Sequence, residues 1–175
     1  MALIAQVDKA TNEFLISADW GLNLKISDEC SNSAKSEEVL RSLVTKIQCN
    51  NSTVQMRALD LLQTLMQNNH VIVQTFHQKA LQMLVLNSLR SIHDYQVKNR
   101  LLNLIRAWGE HFRSKNEFPN YYATYDFLMQ NKTSFPGRTD DSIYTAPQAN
   151  IPILDSRPTN SRPTNVIFIS LLFTL

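Results

Sequence analysis

The sequence predicts an all-α fold, an array of seven or eight packed helices that ends near residue 131. Three observations predict it. The 175 residues include only 3 glycines, far below the ~7% usual in globular proteins, and all-β folds spend glycine on turns. Apolar residues recur at helical spacing from the start of the chain to about residue 131. No segment alternates convincingly as a strand, and the periodic segments are joined by connections of about two to eight residues, which makes successive helices antiparallel neighbours. Hydrophobic residues at 43% against 18% charged supply enough material for a core.

The elements follow in order. Ile4, Val7, Thr11 and Phe14 give the first stripe. Ser17 or Asp19 is placed to cap a second helix running to about Cys30. A third opens near Ser33 and carries Val39, Leu40, Leu43, Val44 and Ile47. The Asn50-Asn51-Ser52 triplet breaks it and caps a fourth, with Val54, Ala58, Leu61, Leu62 and Leu65, which Asn68-Asn69 ends. A short helical turn is expected near Val71–Phe76, then a helix marked by Leu81, Leu84, Val85, Leu89 and Ile92. Asp94 caps a long one with Val97, Leu101, Leu104, Ile105, Trp108 and Phe112, where Trp108 lies in register with the core stripe. Pro119 marks a break, and Tyr121 to Gln130 reads as the last helix. No internal repeat points to a solenoid family.

Composition changes at Phe135-Pro136, which sets a domain over 1–136. Residues 137–165 are polar and proline-bearing, with Ser-Arg-Pro-Thr-Asn occurring at 156–160 and again at 161–165, and are expected to be a disordered linker. Residues 166–175, VIFISLLFTL, are almost wholly apolar. A span needs about 20 such residues. This tail is read as a disordered end or the artefact of a truncated gene model, ahead of partial insertion or docking on the domain.

Several function classes are excluded or disfavoured. A formal net charge of +2 is too small to argue for nucleic acid. Cys30 and Cys49 have neither metal-ligand spacing nor a disulfide framework and read as buried reduced thiols. The start MALIAQVDKATNEF lacks a basic segment and a continuous apolar run, so no signal peptide is expected. Triplets such as Asn51-Ser52-Thr53 and Asn131-Lys132-Thr133 are then chance matches to the glycosylation pattern, and a cytoplasmic location is expected. His70, His77, His93 and His111 form no HExxH pair, and GxSxG, P-loop and GxGxxG motifs are missing. The Glu110-His111 pair reads as solvated helix surface. No enzyme and no cofactor is expected; such an array suits binding.

The second helix carries the feature that calls for a function. At about 100° per residue, Leu22, Ile26 and Cys30 stack on one face, while Trp20 and Leu24 stack on another roughly 200° away from Leu22. The Leu22 face reads as core. The Trp20 face continues into Ser27, Asp28 and Ser31 and reads as solvent, with Asn23 and Ser27 as flanking hydrogen-bonding groups. An exposed tryptophan beside an exposed leucine, rimmed by polar groups, has the make-up of a small binding hot spot. Periodicity alone leaves a second reading open, in which the helix is sandwiched between neighbours and Trp20 anchors it against the first helix.

Ala10-Thr11-Asn12-Glu13-Phe14 followed by DWGLNLKISDEC at 19–30 resembles the start of a VHS domain, the helical module shared by Hrs and STAM-type proteins. The likeness continues through residues 40–47, VQMRALDLLQTLMQNN at 54–69, TFHQKAL at 75–81, VKNRLLNLIRAWGEHF at 97–112 and YYATYDFLMQNKTSFP at 121–136. It covers about residues 3–136 with its motifs in order. GRTDDSIYTAPQ, after Pro136, is similar to the linker of target-of-Myb-like proteins, in which a GAT domain follows; nothing of that size follows here. A cysteine-rich FYVE segment is also missing.

The resemblance implies a right-handed superhelix of about eight helices. It also implies a non-enzymatic adaptor of vesicular and endosomal protein sorting that binds ubiquitin or ubiquitinated cargo through Trp20 and Leu24. Asn23 and Ser27 would then bond the partner's backbone, and the contact would be weak and little affected by salt. Two alternatives accompany it. Recognition of acidic dileucine sorting peptides in Golgi-to-endosome transport would use a basic groove between the sixth and eighth helices, with Lys79, Arg90 and Lys132 as candidates. Phosphoinositide membrane binding, a secondary expectation, would draw on Lys35, Arg41 and Lys46 or on Lys98, Arg100 and Arg106. The expected location is the cytoplasmic side of endosome or Golgi membranes, peripherally attached.

Overall fold

The computed structural model describes residues 2–138, with the side chains of residues 79, 80, 82, 83 and 86 outside that description. The linker from residue 139 and the apolar tail therefore lie outside the described residues. The elements are α1 (Leu3–Ala10), α2 (Trp20–Glu29), α3 (Ser33–Ile47), α4 (Ser52–Asn68), α5 (His70–Thr75), a π-helical turn (Phe76–Ala80), α6 (Leu81–Ser91), α7 (Tyr95–Phe112) and α8 (Pro119–Gln130). No strand occurs among the described residues.

The helix starts are set by side-chain caps. Asp19 accepts from the Leu22 amide, Asn32 from Lys35, Asn51 from Thr53 and Val54, and Asp94 from Gln96 and Val97. Each satisfies amides that have no partner inside their own helix. Asn69 serves three helices at once. It ends α4, its Oδ1 accepts from the Ile72 amide at the start of α5, and its Nδ2 donates to the Ser27 and Cys30 carbonyls at 2.6 and 3.0 Å. The end of α2 is thereby tied to the α4–α5 corner.

The short turn expected near Val71–Phe76 is α5, and it does not end there. The backbone runs on through one π turn into α6. Apolar spacing cannot reveal a π turn, because the switch from i−4 to i−5 bonding is a backbone event. The start of α8 has no side-chain cap of its own and has Pro119 at its first position. His77, in the π turn, supplies the acceptor instead. Its Nε2 accepts from the Asn120 amide at 3.2 Å, and its carbonyl accepts from Asn120 Nδ2 at 3.2 Å.

The core runs the length of the array, from Val7 and Ile26 through α3 and α4 to α7 and α8. Its aromatic end gathers Phe76, Trp108, Phe112, Phe118 and Tyr121. Trp108 meets Phe76 edge-on with centroids 5.4 Å apart, and Phe112 stacks on Tyr121 at 4.5 Å. Tyr121 is buried, and its hydroxyl donates to the Val73 carbonyl at 2.7 Å. Trp108 is 1% exposed, in line with its place in the sequence stripe.

After α8 the chain reverses through Lys132, the residue with positive φ (55°) among the described non-glycines. The amides of Lys132 and Thr133 donate to the carbonyls of Met129 and Leu128, each at 3.0 Å, which closes a Schellman motif. The returning segment is pinned to α7. Arg106 donates to the Pro136 carbonyl at 2.5 Å and lies over the Phe135 ring, and Arg138 pairs with Glu110 at 2.7 Å.

Phe14 does not extend the α1 stripe. The helix stops at Ala10, where the Thr11 hydroxyl turns back onto the Val7 carbonyl, and Phe14 is 85% exposed in the following loop.

Candidate partner-binding face on α2

The inner stripe of α2 consists of Asn23, Ile26, Ser27 and Cys30, spaced i, i+3, i+4, i+7, and all four are buried. At about 100° per residue, Trp20 stands about 70° and Leu24 about 110° from the centre of that stripe. The pair thus occupies a flank of the helix, half in contact with the fold. Trp20 is 57% exposed and Leu24 45%. The side opposite the core holds Gly21, Lys25 and Asp28, all exposed.

This geometry corrects the placement of Asn23 and Ser27. Both were expected beside Trp20 on the solvent side, and both are 1% exposed. The physical reason is the centre of the stripe. Taking Leu22 as the middle of the core face turned the wheel too far, whereas Leu22 itself is only partly buried. Small polar side chains on the inner face let α2 lie close to α4 and α1, its packing neighbours. Asn23 and Ser27 are therefore not positioned to reach a partner's backbone.

Sequence reasoning missed the loop between α1 and α2. It presents Phe14 and Ile16, the latter 98% exposed. The loop is held from behind by Arg57 of α4. Its guanidinium donates to the Ile16 carbonyl at 2.8 Å and to the Leu15 carbonyl at 3.3 Å, and it pairs with Asp60 at 3.5 Å. Asp60 in turn receives Arg100 of α7 at 3.3 Å, and Arg100 also donates to Gln63. Asn51 Nδ2 donates to Glu13 at 2.6 Å.

The basic candidates are mostly engaged. Arg41 pairs with Glu37 at 3.0 Å and Lys46 with Asp8 at 2.8 Å. Arg100 belongs to the Asp60 network, and Arg106 is buried beneath Phe135. Lys35 and Lys98 remain exposed. Of the candidates for a peptide groove, Arg90 lies exposed in the last turn of α6 and Lys132 is exposed after α8. The Lys79 side chain lies outside the description.

Burial pushes the Cys30 thiol up to about 11, aided by neighbouring Glu29, so this thiol stays protonated. Burial lowers His77, and burial followed by Lys115 lowers His111. Glu110 is exposed and pairs with the still more exposed Arg138. Among the described residues no group of three His, Cys, Asp or Glu side chains is arranged to hold a metal ion. No helix among them is long and apolar enough to cross a membrane.

Comparison with known proteins places this geometry in context. The VHS domain family model matches residues 1–132. TOM1-like protein 9 of Arabidopsis thaliana is 31% identical over 167 residues, covering 93% of this chain and 24% of the relative. Target of Myb protein 1 of Dictyostelium discoideum is 32% identical over 137 residues, covering 78% and 21%. The chain thus spans less than a quarter of the length of these relatives. Among solved structures, the VHS and FYVE tandem domains of Hrs, a protein involved in membrane trafficking and signal transduction, superpose with a TM-score of 0.70 at 19% identity. That match covers 81% of this chain and 66% of the other, and shows the shared superhelical fold.

Proposed function

Because this chain belongs to the VHS domain family, we propose that it is a non-enzymatic adaptor module of endosomal protein sorting that binds ubiquitin, or ubiquitinated cargo, through the Trp20–Leu24 flank of α2. The observation that carries this reading is the exposure of that pair on a helix whose neighbouring stripe is fully buried. Trp20 offers wide apolar area at low entropy cost, and Leu24 extends it one turn along the helix. Asn23 and Ser27 set how close α2 sits to the fold and leave the contact to the apolar pair. Peripheral attachment to endosome or Golgi membranes belongs to the same proposal.

The test is an NMR titration of the isotopically labelled chain with ubiquitin, alongside a Trp20→Ala, Leu24→Ala double variant. Shifts clustered on residues 19–31 that vanish in the folded double variant are expected. A wild-type chain that shows no shifts at millimolar ubiquitin refutes the reading. Phosphoinositide binding is disfavoured by the engagement of Lys46, Arg100 and Arg106 in contacts within the fold, whereas Arg41, in an exposed pair with Glu37, stays open to solvent. Salt separates the two by degree, since headgroup binding collapses with ionic strength while an apolar contact with a charged rim loses only part of its affinity.

A further inference from the structure

We infer that the partner-binding surface continues from α2 onto the preceding loop, where Phe14 and Ile16 touch the same partner and Arg57 positions them. This rests on the reading of α2 as a ubiquitin-binding face. The large apolar side chains left exposed among the described residues are Phe14, Ile16, Trp20, Leu24, Tyr95 and Met129. The first four fall between positions 14 and 24. Single exposed apolar residues need no account, whereas these four fall within eleven consecutive residues, on one loop and the helix it leads into.

The loop is built to present these side chains. Its backbone is tied down on the inner side: the Leu15 and Ile16 carbonyls accept from Arg57, and the Phe14 amide donates to Asn12 Oδ1 at 2.9 Å. Arg57 is braced by Asp60, and Asp60 by Arg100. A long cationic side chain, itself mostly buried, thus holds an apolar tip out in water. Fixing the tip in advance removes ordering entropy that binding would otherwise cost.

Charge selects the kind of partner. Glu13, Asp19 and Asp28 are exposed on the loop and α2 against the single cation Lys25, in a chain whose net charge is +2, while Glu29 is taken up by Gln6 of α1. An apolar patch with an acidic surround fits a folded protein whose own apolar patch is rimmed by lysine and arginine. It opposes an anionic membrane surface, where like charge would repel the loop.

The test uses ubiquitin as the probe and the full chain as the protein. A Phe14→Ser, Ile16→Ser double variant is expected to weaken ubiquitin binding about tenfold with an unchanged melting curve, since two large apolar side chains leave the contact. Arg57→Lys keeps a charge beside Asp60 but loses the fork to two carbonyls. It is expected to weaken binding less, and to add nothing further in the Phe14→Ser, Ile16→Ser background, a non-additivity that simple destabilisation does not produce. If the loop variant binds as the wild type while Trp20→Ala, Leu24→Ala does not bind, the loop is no part of the surface and the α2 reading stands. If the wild type itself does not bind, both fall together. Loss of binding to phosphatidylserine vesicles in the loop variant, with ubiquitin affinity unchanged, would overturn the inference in favour of a lipid contact.

Discussion

Gly109 lies on the face of α7 that meets α8, and a methyl group there has nowhere to go. A Cβ built on Gly109 would fall 2.4 Å from Tyr125 Cβ and 2.7 Å from its Cγ, against 3.4–4 Å for ordinary contact. Tyr125 Cβ is rooted in the α8 backbone, so no rotamer change removes the clash and the two helices must part by about 1 Å. Overpacking of this kind costs about 1–3 kcal/mol. Alanine repays about 1 kcal/mol through helix propensity. Because backbone has to move, the cost should sit near the top of its range, and Gly109→Ala should destabilise by about 1–2 kcal/mol. Gly21 provides the opposite case. Its Cβ would meet only Asp19 Oδ1, at 3.6 Å, so Gly21→Ala should stabilise by about 0.5 kcal/mol, reduced from the full propensity gain because the site is in the first turn. Urea unfolding followed by far-UV circular dichroism reads both. A Gly109→Ala chain as stable as the wild type, or more so, would refute the claim that glycine sets the α7–α8 distance.

Trp108→Ala should cost about 3–5 kcal/mol, since it empties the middle of the aromatic cluster, whereas Trp20→Ala should cost well under half of that; equal loss of melting temperature in the two would contradict an exposed Trp20. Lys132→Gly should raise stability by about 0.5–1 kcal/mol, because glycine takes the left-handed φ of the Schellman motif without strain, and a thermal melt checks it. Acidification should weaken the fold through His77. Its pKa is lowered in the fold by burial, so its contribution is complete above the unfolded value of about 6.5 and is lost as pH falls through the folded value. Stability measured between pH 7.5 and 5 should therefore fall more steeply in the wild type than in His77→Gln, and parallel profiles would speak against His77 as the acceptor at the start of α8.

Most of the architecture was readable because helix caps and apolar stripes are local signals. Asn51, Asp94 and Asp19 announce the helices they cap, and Trp108 sits in an unbroken stripe. The Trp20–Leu24 pair was legible as an apolar doublet off the core stripe. What failed was local in sequence but decided at a distance. Asn23 and Ser27 look like surface residues by type, yet α2 packs on α4 and α1 through the stripe that holds them. Phe14 looks like a core residue, yet α1 ends before it and Arg57, more than 40 positions away, holds the loop around it outward. A wheel drawn on one helix carries no information about either partner.

The Asn69 side chain has a consequence for how α2 is held. Its carboxamide faces two ways, with the oxygen toward α5 and the nitrogen toward two carbonyl oxygens of α2. Conversion of that side chain to aspartate would keep the oxygen toward α5 and replace the nitrogen with a second, negatively charged oxygen. The cap on α5 would survive, while the same position would turn from holding the end of α2 to repelling it. A change of one mass unit would thus be confined in its effect to the helix that carries Trp20 and Leu24.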